Sequence, residues 1–337
     1  MKKIILATLA IAALAACTKT EVVSVTESNA IAFDNAFVDN ATKSVNDPSF
    51  TNDNLTDFAV YGFVEGAVLF DGTQVSKEIT NNDLSSVWKY AGTQYWIAGA
   101  NYNFNAVAPK TNGGWTKTDA DKTSTTLSFV NNGTTDLLYA TATQQGKVSG
   151  NEKVAFSFRH VLSKVKFSFE NAYNATNATI KVKDIVITNP HKTANVVLTA
   201  ATAWSGNATA DGFTLAFGMA TDDEATTETK EDVEVAYAFG KTYESQNELF
   251  LIPSEEYPYN VTFKVVLMVS GEEITTYTHN VTAKFAPVAG NSYDIKAVIN
   301  ASNIDPNHAQ EPIEFTVSTL SGWTTAAGVD AQYPQNN

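Results

Sequence analysis

Apolar and polar residues alternate with period two along most of the chain beyond residue 55. Between residues 161 and 169, Val165, Phe167 and Phe169 fall on one face and Lys164, Lys166 and Ser168 on the other, because successive strand side chains point to opposite faces. The same patterning predicts strands over 58–64, 102–108, 124–130, 137–141, 154–158, 180–187, 196–199, 213–217, 248–252, 261–269, 273–284 and 292–299. Each is short and bounded by Gly, Asn, Asp or Pro. Helical spacing is nowhere sustained beyond about ten residues after the N-terminal segment. An all-β fold of the sandwich type is therefore expected.

The first residues follow a different pattern. Lys2 and Lys3 precede an apolar run over 4–13, which is the layout of a secretory signal peptide. The run is too short to span a bilayer, which takes about 20 apolar residues, and no later segment qualifies. The sequence Leu14-Ala15-Ala16-Cys17 is a lipobox, as in bacterial lipoproteins. Its small residues admit the signal peptidase, and the Cys17 thiol accepts diacylglycerol. Cys17 is the sole cysteine of the chain. Residues 1–16 are thus expected to be removed, leaving a lipid on Cys17 that anchors the chain in a Gram-negative envelope. Thr18, not Asp, follows the cysteine, which resembles outer-membrane sorting.

Composition narrows the function classes. The 337 residues, 44% hydrophobic and 17% charged, can bury a real core and fill two ordinary domains. The most polar stretch between strands lies at 144–152, so the boundary is placed there, with domains over 44–148 and 149–300. A net charge of -14 repels phosphate backbones and argues against nucleic acid as a partner. His160, His191, His279 and His308 are scattered with no ligand partner at i+4, so neither a metal site nor a cofactor is expected. His160, between Phe158 and Leu162, reads as a buried, hydrogen-bonded structural histidine. The sequence has no HExxH, GxSxG, Walker or GxGxxG motif, and no catalytic residue is assigned. Asp222, Asp223 and Glu224 lack EF-hand spacing and read as part of a solvated loop.

Two terminal segments carry the remaining signal. In the first, Ile31, Phe33 and Phe37 lie on one face, followed by a polar stretch whose basic residue, Lys43, precedes Ser44. That stretch resembles a site for a trypsin-like protease acting after Lys43. In the second, after a connector over 303–311, Ile313, Phe315, Val317 and Trp323 share a face. Both segments can be ordinary first and last strands. Alternatively, proteolysis removes the first strand with its lipid, and the last strand of a neighbouring copy fills the groove it leaves. Patterning alone does not choose between them.

Several motifs in order behind the lipobox resemble the fimbrillin family, the subunits of lipoprotein-derived (type V) pili. They are Ile31-Ala32-Phe33 before a basic position, the run from Tyr95-Trp96 to Ala108-Pro109 (W-x-x-G-x-x-Y-x-F-x-A-x-x-P), Asp136-Leu137-Leu138-Tyr139-Ala140, the stretch from Phe156 to Val165 (F-x-H-x-L-x-K), and the Phe315-x-Val317 strand ending near Trp323. The resemblance implies two tandem transthyretin-like β-sandwiches, export as a lipoprotein, removal of the N-terminal strand by a surface protease and head-to-tail assembly. Residues 17–43 would be a lipidated propeptide with the plug strand, and 301–337 a connector with the donor strand. Partners would be other copies or related pilus subunits, the outer membrane until maturation, and the protease. One departure stands out: oral members are cut after arginine, whereas the candidate here is Lys43 and the sole arginine is Arg159. The alternative reading is a lipid-anchored surface adhesin, or an anchor, tip or accessory subunit, that meets host glycans or proteins. Trp88, Tyr90, Tyr95, Trp115 and Trp204 would be its stacking candidates, although core packing is the more common fate of such residues in sandwiches.

Overall fold

The computed structural model describes residues 29–38, 49–51, 54–78, 87–218, 236–304 and 312–320. In chain order its elements are β1 (Phe33–Val38), β2 (Asp57–Val64), β3 (Ala67–Glu78), β4 (Val87–Tyr90), β5 (Asn101–Ala108), β6 (Trp115–Ala120), β7 (Thr125–Val130), β8 (Leu138–Gln145), β9 (Val154–His160) and β10 (Ser163–Asn171). There follow β11 (Ala178–Ile187), β12 (Thr193–Leu198), β13 (Thr202–Ala208), β14 (Leu215–Phe217), β15 (Thr242–Glu244), β16 (Leu249–Leu251), β17 (Tyr257–Val269), β18 (Glu272–Phe285), β19 (Ser292–Ile299), the one-turn helix α1 (Ala301–Ile304) and β20 (Phe315–Leu320).

Two β-sandwiches follow one another, in keeping with the transthyretin-like expectation. The first is built on a seven-stranded sheet, β1-β9-β8-β5-β2-β3-β4. Its central strands are buried on both faces. Phe58 and Val60 of β2 pack into one core with Phe104, Phe156 and Phe158. Ala59, Tyr61 and Phe63 of the same strand face a second core against the sheet β13-β12-β7-β6. This double burial makes β2 read as a nearly continuous apolar run rather than an alternating one. The second sandwich packs β15-β10-β19-β20, with β16 also on β10, against β14-β11-β17-β18.

Local chemistry sets the turns. β2 and β3 are joined by Glu65-Gly66 and β17 and β18 by Ser270-Gly271, all at positive φ, as two-residue hairpin turns require. The first sheet also curls until its edges meet. The Ile31 amide donates to the Gln94 carbonyl at 2.8 Å, just after β4, and the Tyr90 hydroxyl donates to the Ile31 carbonyl at 2.7 Å.

The polar stretch at 144–152 does not coincide with a change of sheet. β9 lies beyond it yet pairs with β8, and β12 and β13 pair through β7 with β6. Hydrophobic pattern cannot reveal such a crossover, because partner choice depends on topology and not on the strand's own composition. The chain passes to the second sandwich at β10, returns at β12 and β13, and leaves again at β14.

Candidate functional site

β1 is an edge strand that opens on a core residue, Phe33. It runs parallel to β9, with Phe33 opposite Val154 and Asp34 opposite Ala155. Phe33 is 2% exposed. Its ring meets those of Phe58, Phe70, Tyr90, Phe104 and Phe156 at centroid distances of 5.4–6.3 Å. Ile31 is buried in the same core. Such aromatic pairs add to plain area burial.

The approach to the strand is clamped by hydrogen bonds. The Trp96 amide donates to the Asn29 carbonyl at 3.0 Å, and the Asn29 side-chain amide returns a bond to the Trp96 carbonyl at 3.1 Å. Asn151 donates to the Asn29 side-chain oxygen at 2.8 Å. Burial pushes the Tyr90 hydroxyl above its ordinary value, opposed by the Gln94 amide, so it stays protonated as the donor to Ile31. On the outer face Lys153 pairs with Asp34 at 3.1 Å.

The strand does not keep strict register. A shift between Asp34 and Phe37 places Phe37 opposite Ser157 and Val38 opposite Phe158. The expected period-two relation of Phe37 to Ile31 and Phe33 therefore breaks, because two residues on β1 oppose one on β9.

Residues 49–51 are held by hydrogen bonds. The Phe50 amide donates to Asp136 Oδ2 at 3.4 Å, and Asn54 bonds Ser49 and Thr51. Asp136 is fully buried, caps the Leu137 amide and hydrogen-bonds His160 Nδ1 at 2.6 Å. His160 thus has the buried structural role read from its neighbours.

The C-terminal strand lies folded back on its own sandwich. β20 pairs antiparallel with β19 over six consecutive residues, without a shift. Ile313 is buried, Phe315 and Val317 are half-buried, and Glu314, Thr316 and Ser318 are exposed. The Phe315 ring meets Phe167, Phe169 and Phe263 at 5.7–6.4 Å. The expected loose connector begins later than its polarity suggests, since Asn303 and Ile304 are buried within α1.

Cys17, Lys43, Ser44 and Trp323 lie outside the described residues, as do the acidic residues 222–224. Of the aromatic candidates for sugar stacking, Trp88 is buried and Trp115, Trp204 and Tyr90 are half-buried. The Trp115 and Trp204 indoles donate to the carbonyls of Pro109 and Val161 at 2.8 and 3.1 Å. Tyr95 alone of the set is exposed, at 44%. Sequence reasoning missed Asn29, Tyr90 and Asn151 as the clamp on the first strand. Nothing in their spacing marks them, since they meet only through the closure of the sheet.

Comparisons with known proteins bear on this arrangement. A family model described as fimbrillin-like matches residues 41–323. A solved fimbrial protein from Bacteroides vulgatus aligns with a TM-score of 0.58 at 16% identity, over 88% of this chain and 100% of the other; it shares the fold. A candidate cell adhesion protein from Bacteroides uniformis aligns at 0.47 and 15% identity, over 88% and 99%. The fimbrial anchor protein of Porphyromonas gingivalis aligns at 0.30 and 13% identity, over 79% and 88%. No curated protein matches the sequence.

Proposed function

This chain belongs to the fimbrillin-like family, and from that premise we propose that it is a structural subunit of a cell-surface pilus that supports adhesion. On this reading it has no enzymatic role. It is exported as an outer-membrane lipoprotein through Cys17 and cut after Lys43 by a surface trypsin-like protease. It then polymerises when the C-terminal strand of a neighbouring copy, carrying Ile313, Phe315, Val317 and Trp323, replaces β1.

The observation that carries the proposal is the position of Phe33. Its ring fills an aromatic pocket, yet its strand sits at a sheet edge with a ladder to β9 alone. Loss of β1 would uncover the rings of Phe58, Phe70, Phe104 and Phe156 and leave the edge of β9 that faces β1 unpaired. Both defects call for a replacement strand. The anchoring of residues 49–51 on Asp136 and Asn54 supports the same reading, because a cut between Val38 and Ser49 frees β1 while the next strand stays held.

The test uses the chain from Thr18 onward with a site-specific protease sequence placed within residues 39–47. Cutting is expected to convert monomer into a ladder of oligomers on unboiled gels. Removal of residues 312–337 is expected to abolish the ladder. A cleanly cut chain that stays monomeric overturns the proposal. In the native host, Cys17→Ala is expected to abolish labelling with a lipid precursor.

A further inference from the structure

We infer that the incoming strand seats in one fixed register, parallel to β9, with Ile313 in the place of Ile31, Phe315 in the place of Phe33 and Val317 opposite Phe156. The inference rests on the reading above that β20 of a second copy replaces β1. It adds the direction, the register and the residue that fills the aromatic pocket.

Four observations point the same way. The two strands share an Ile-x-Phe sequence, Ile31-Ala32-Phe33 and Ile313-Glu314-Phe315, and each isoleucine is 2% exposed. Both place the same parity toward a core. Ile31 and Phe33 are buried while Asp34 is half-exposed; Ile313 and Phe315 face inward while Glu314 and Thr316 are exposed. Superposing the two triplets therefore sets Thr316 where Asp34 lies, opposite the exposed Ala155. A slip of one residue would turn every core side chain to solvent.

The pocket also selects by size. Five rings line it, and a phenylalanine fills it. Among the described residues of β20, Phe315 is the sole aromatic. In its own sandwich that ring is half-buried, whereas Phe33 is almost fully buried. In the pocket the Phe315 ring itself would be buried more fully than on its own sandwich, which favours its seating there.

The last observation is the broken register of β1. The shift after Asp34 interrupts its ladder with β9. β20 carries no shift over its six pairs with β19. Continued in step from Phe315 opposite Val154, it brings Val317 opposite Phe156, which faces the core. The donor strand so placed extends both the ladder and the apolar stripe past the point where the plug strand bulges.

Paired residues on neighbouring strands stand at a Cα separation compatible with a disulfide, and the chain from Thr18 onward contains no cysteine. Ala155→Cys is combined in turn with Glu314→Cys, Thr316→Cys and Ser318→Cys, in the protein carrying the site-specific cut; all four positions are exposed. After cutting and oxidation, the 155–316 pair is expected to give a disulfide-linked ladder on boiled, non-reducing gels. That ladder is expected to be lost with 314 and with 318. Linkage through 314 or 318 instead overturns the register while strand exchange stands. A ladder on unboiled gels with none of the three pairs linked overturns the parallel placement. No ladder of either kind, with tryptophan fluorescence showing a folded monomer, removes the strand-exchange reading and this inference with it.

Discussion

Replacing Phe33 with alanine tests whether the first strand is part of a core or merely laid against it. The ring is 2% exposed and touches five other rings, contributed by β2, β3, β4, β5 and β9. Phe→Ala in a packed core costs about 3–5 kcal/mol, the larger values where the site cannot collapse. This site has little freedom to collapse, since its walls are ladder-paired strands of one sheet. They are also tightly fitted: a Cβ at Gly62 would meet the Phe70 and Phe104 rings. The upper half of the range is expected for the uncut chain from Thr18 onward. Urea unfolding followed by tryptophan fluorescence reads it selectively, because Trp88 and Trp96 lie in the same core as Phe33, and the core of the second sandwich has no tryptophan among the described residues. At a slope of about 2 kcal/mol/M, a 4 kcal/mol loss lowers the midpoint by about 2 M. Asp34→Ala, which removes a solvent-accessible pair with Lys153, is the control and should cost less than about 1 kcal/mol. A Phe33→Ala loss as small as the control's would refute the reasoning. It would mean that the pocket closes without the ring, so that departure of β1 would leave no groove to fill.

Three further outcomes are expected. Lys164 Nζ and Glu248 Oε2 form a buried pair at 2.8 Å; Lys164→Met alone should cost about 3–5 kcal/mol by stranding a buried carboxylate, and adding Glu248→Leu should recover most of it in a double-mutant cycle. His279 is buried against Phe263, and burial holds its imidazole below the ordinary 6.5. The unfolded chain therefore binds more protons below that pH, so stability should be full above about 6.5 and fall as the pH drops toward the folded value, and thermal melts of His279→Leu should show a shallower decline between about pH 6.5 and 5. Gly146→Ala would drive a Cβ into the Ile97 carbonyl oxygen, beside the loop that clamps Asn29; a loss of about 1–3 kcal/mol is expected, with faster hydrogen exchange at the Ile31 amide.

The strands that sequence reading located are those with one strongly apolar face. β5, β9, β11, β17 and β19 fall within a few residues of the alternating runs that predict them. Those it missed, β3, β4, β6, β13 and β15, are mostly half-buried or exposed, with few core positions to set a period. Their cue lay in the turns instead: Glu65-Gly66 after the strong run of β2 is a hairpin signal. The candidate site was legible in part. Ile31 and Phe33 announce a core-facing strand by spacing alone, and Ile313 with Phe315 does the same. The bulge that displaces Phe37 was not legible, because no Gly or Pro marks it and the partner strand lies more than a hundred residues away. Nor was the return of β12 and β13 to the first sandwich, since long-range pairing is a property of the whole topology.

On the proposed strand exchange, β1 completes a core and must also leave it, and the way its contacts are distributed bears on both demands. Neighbouring strands of the first sheet are joined by ladders on both sides: β2 pairs with β3 and β5, and β8 with β5 and β9. Losing any of these would divide the sheet. β1 has one ladder partner, interrupted by a shift, and ahead of it residues 29–31 make a short pairing with 94–96, so its removal costs a local edge and leaves the β9-to-β4 order intact. Its side chains are another matter. Phe33, like Phe58 beside it, links rings from both ends of the curled sheet, Tyr90 of β4 and Phe156 of β9. The backbone contribution of β1 is thus small and separable while its side-chain contribution is large and central. This is the combination that lets a core stay folded during exchange yet strongly favour a filled groove over an empty one. A second strand bearing the same Ile-x-Phe pattern meets the side-chain demand without the bulge: it gives up its six pairs with β19 and fills a groove that the cut has left open.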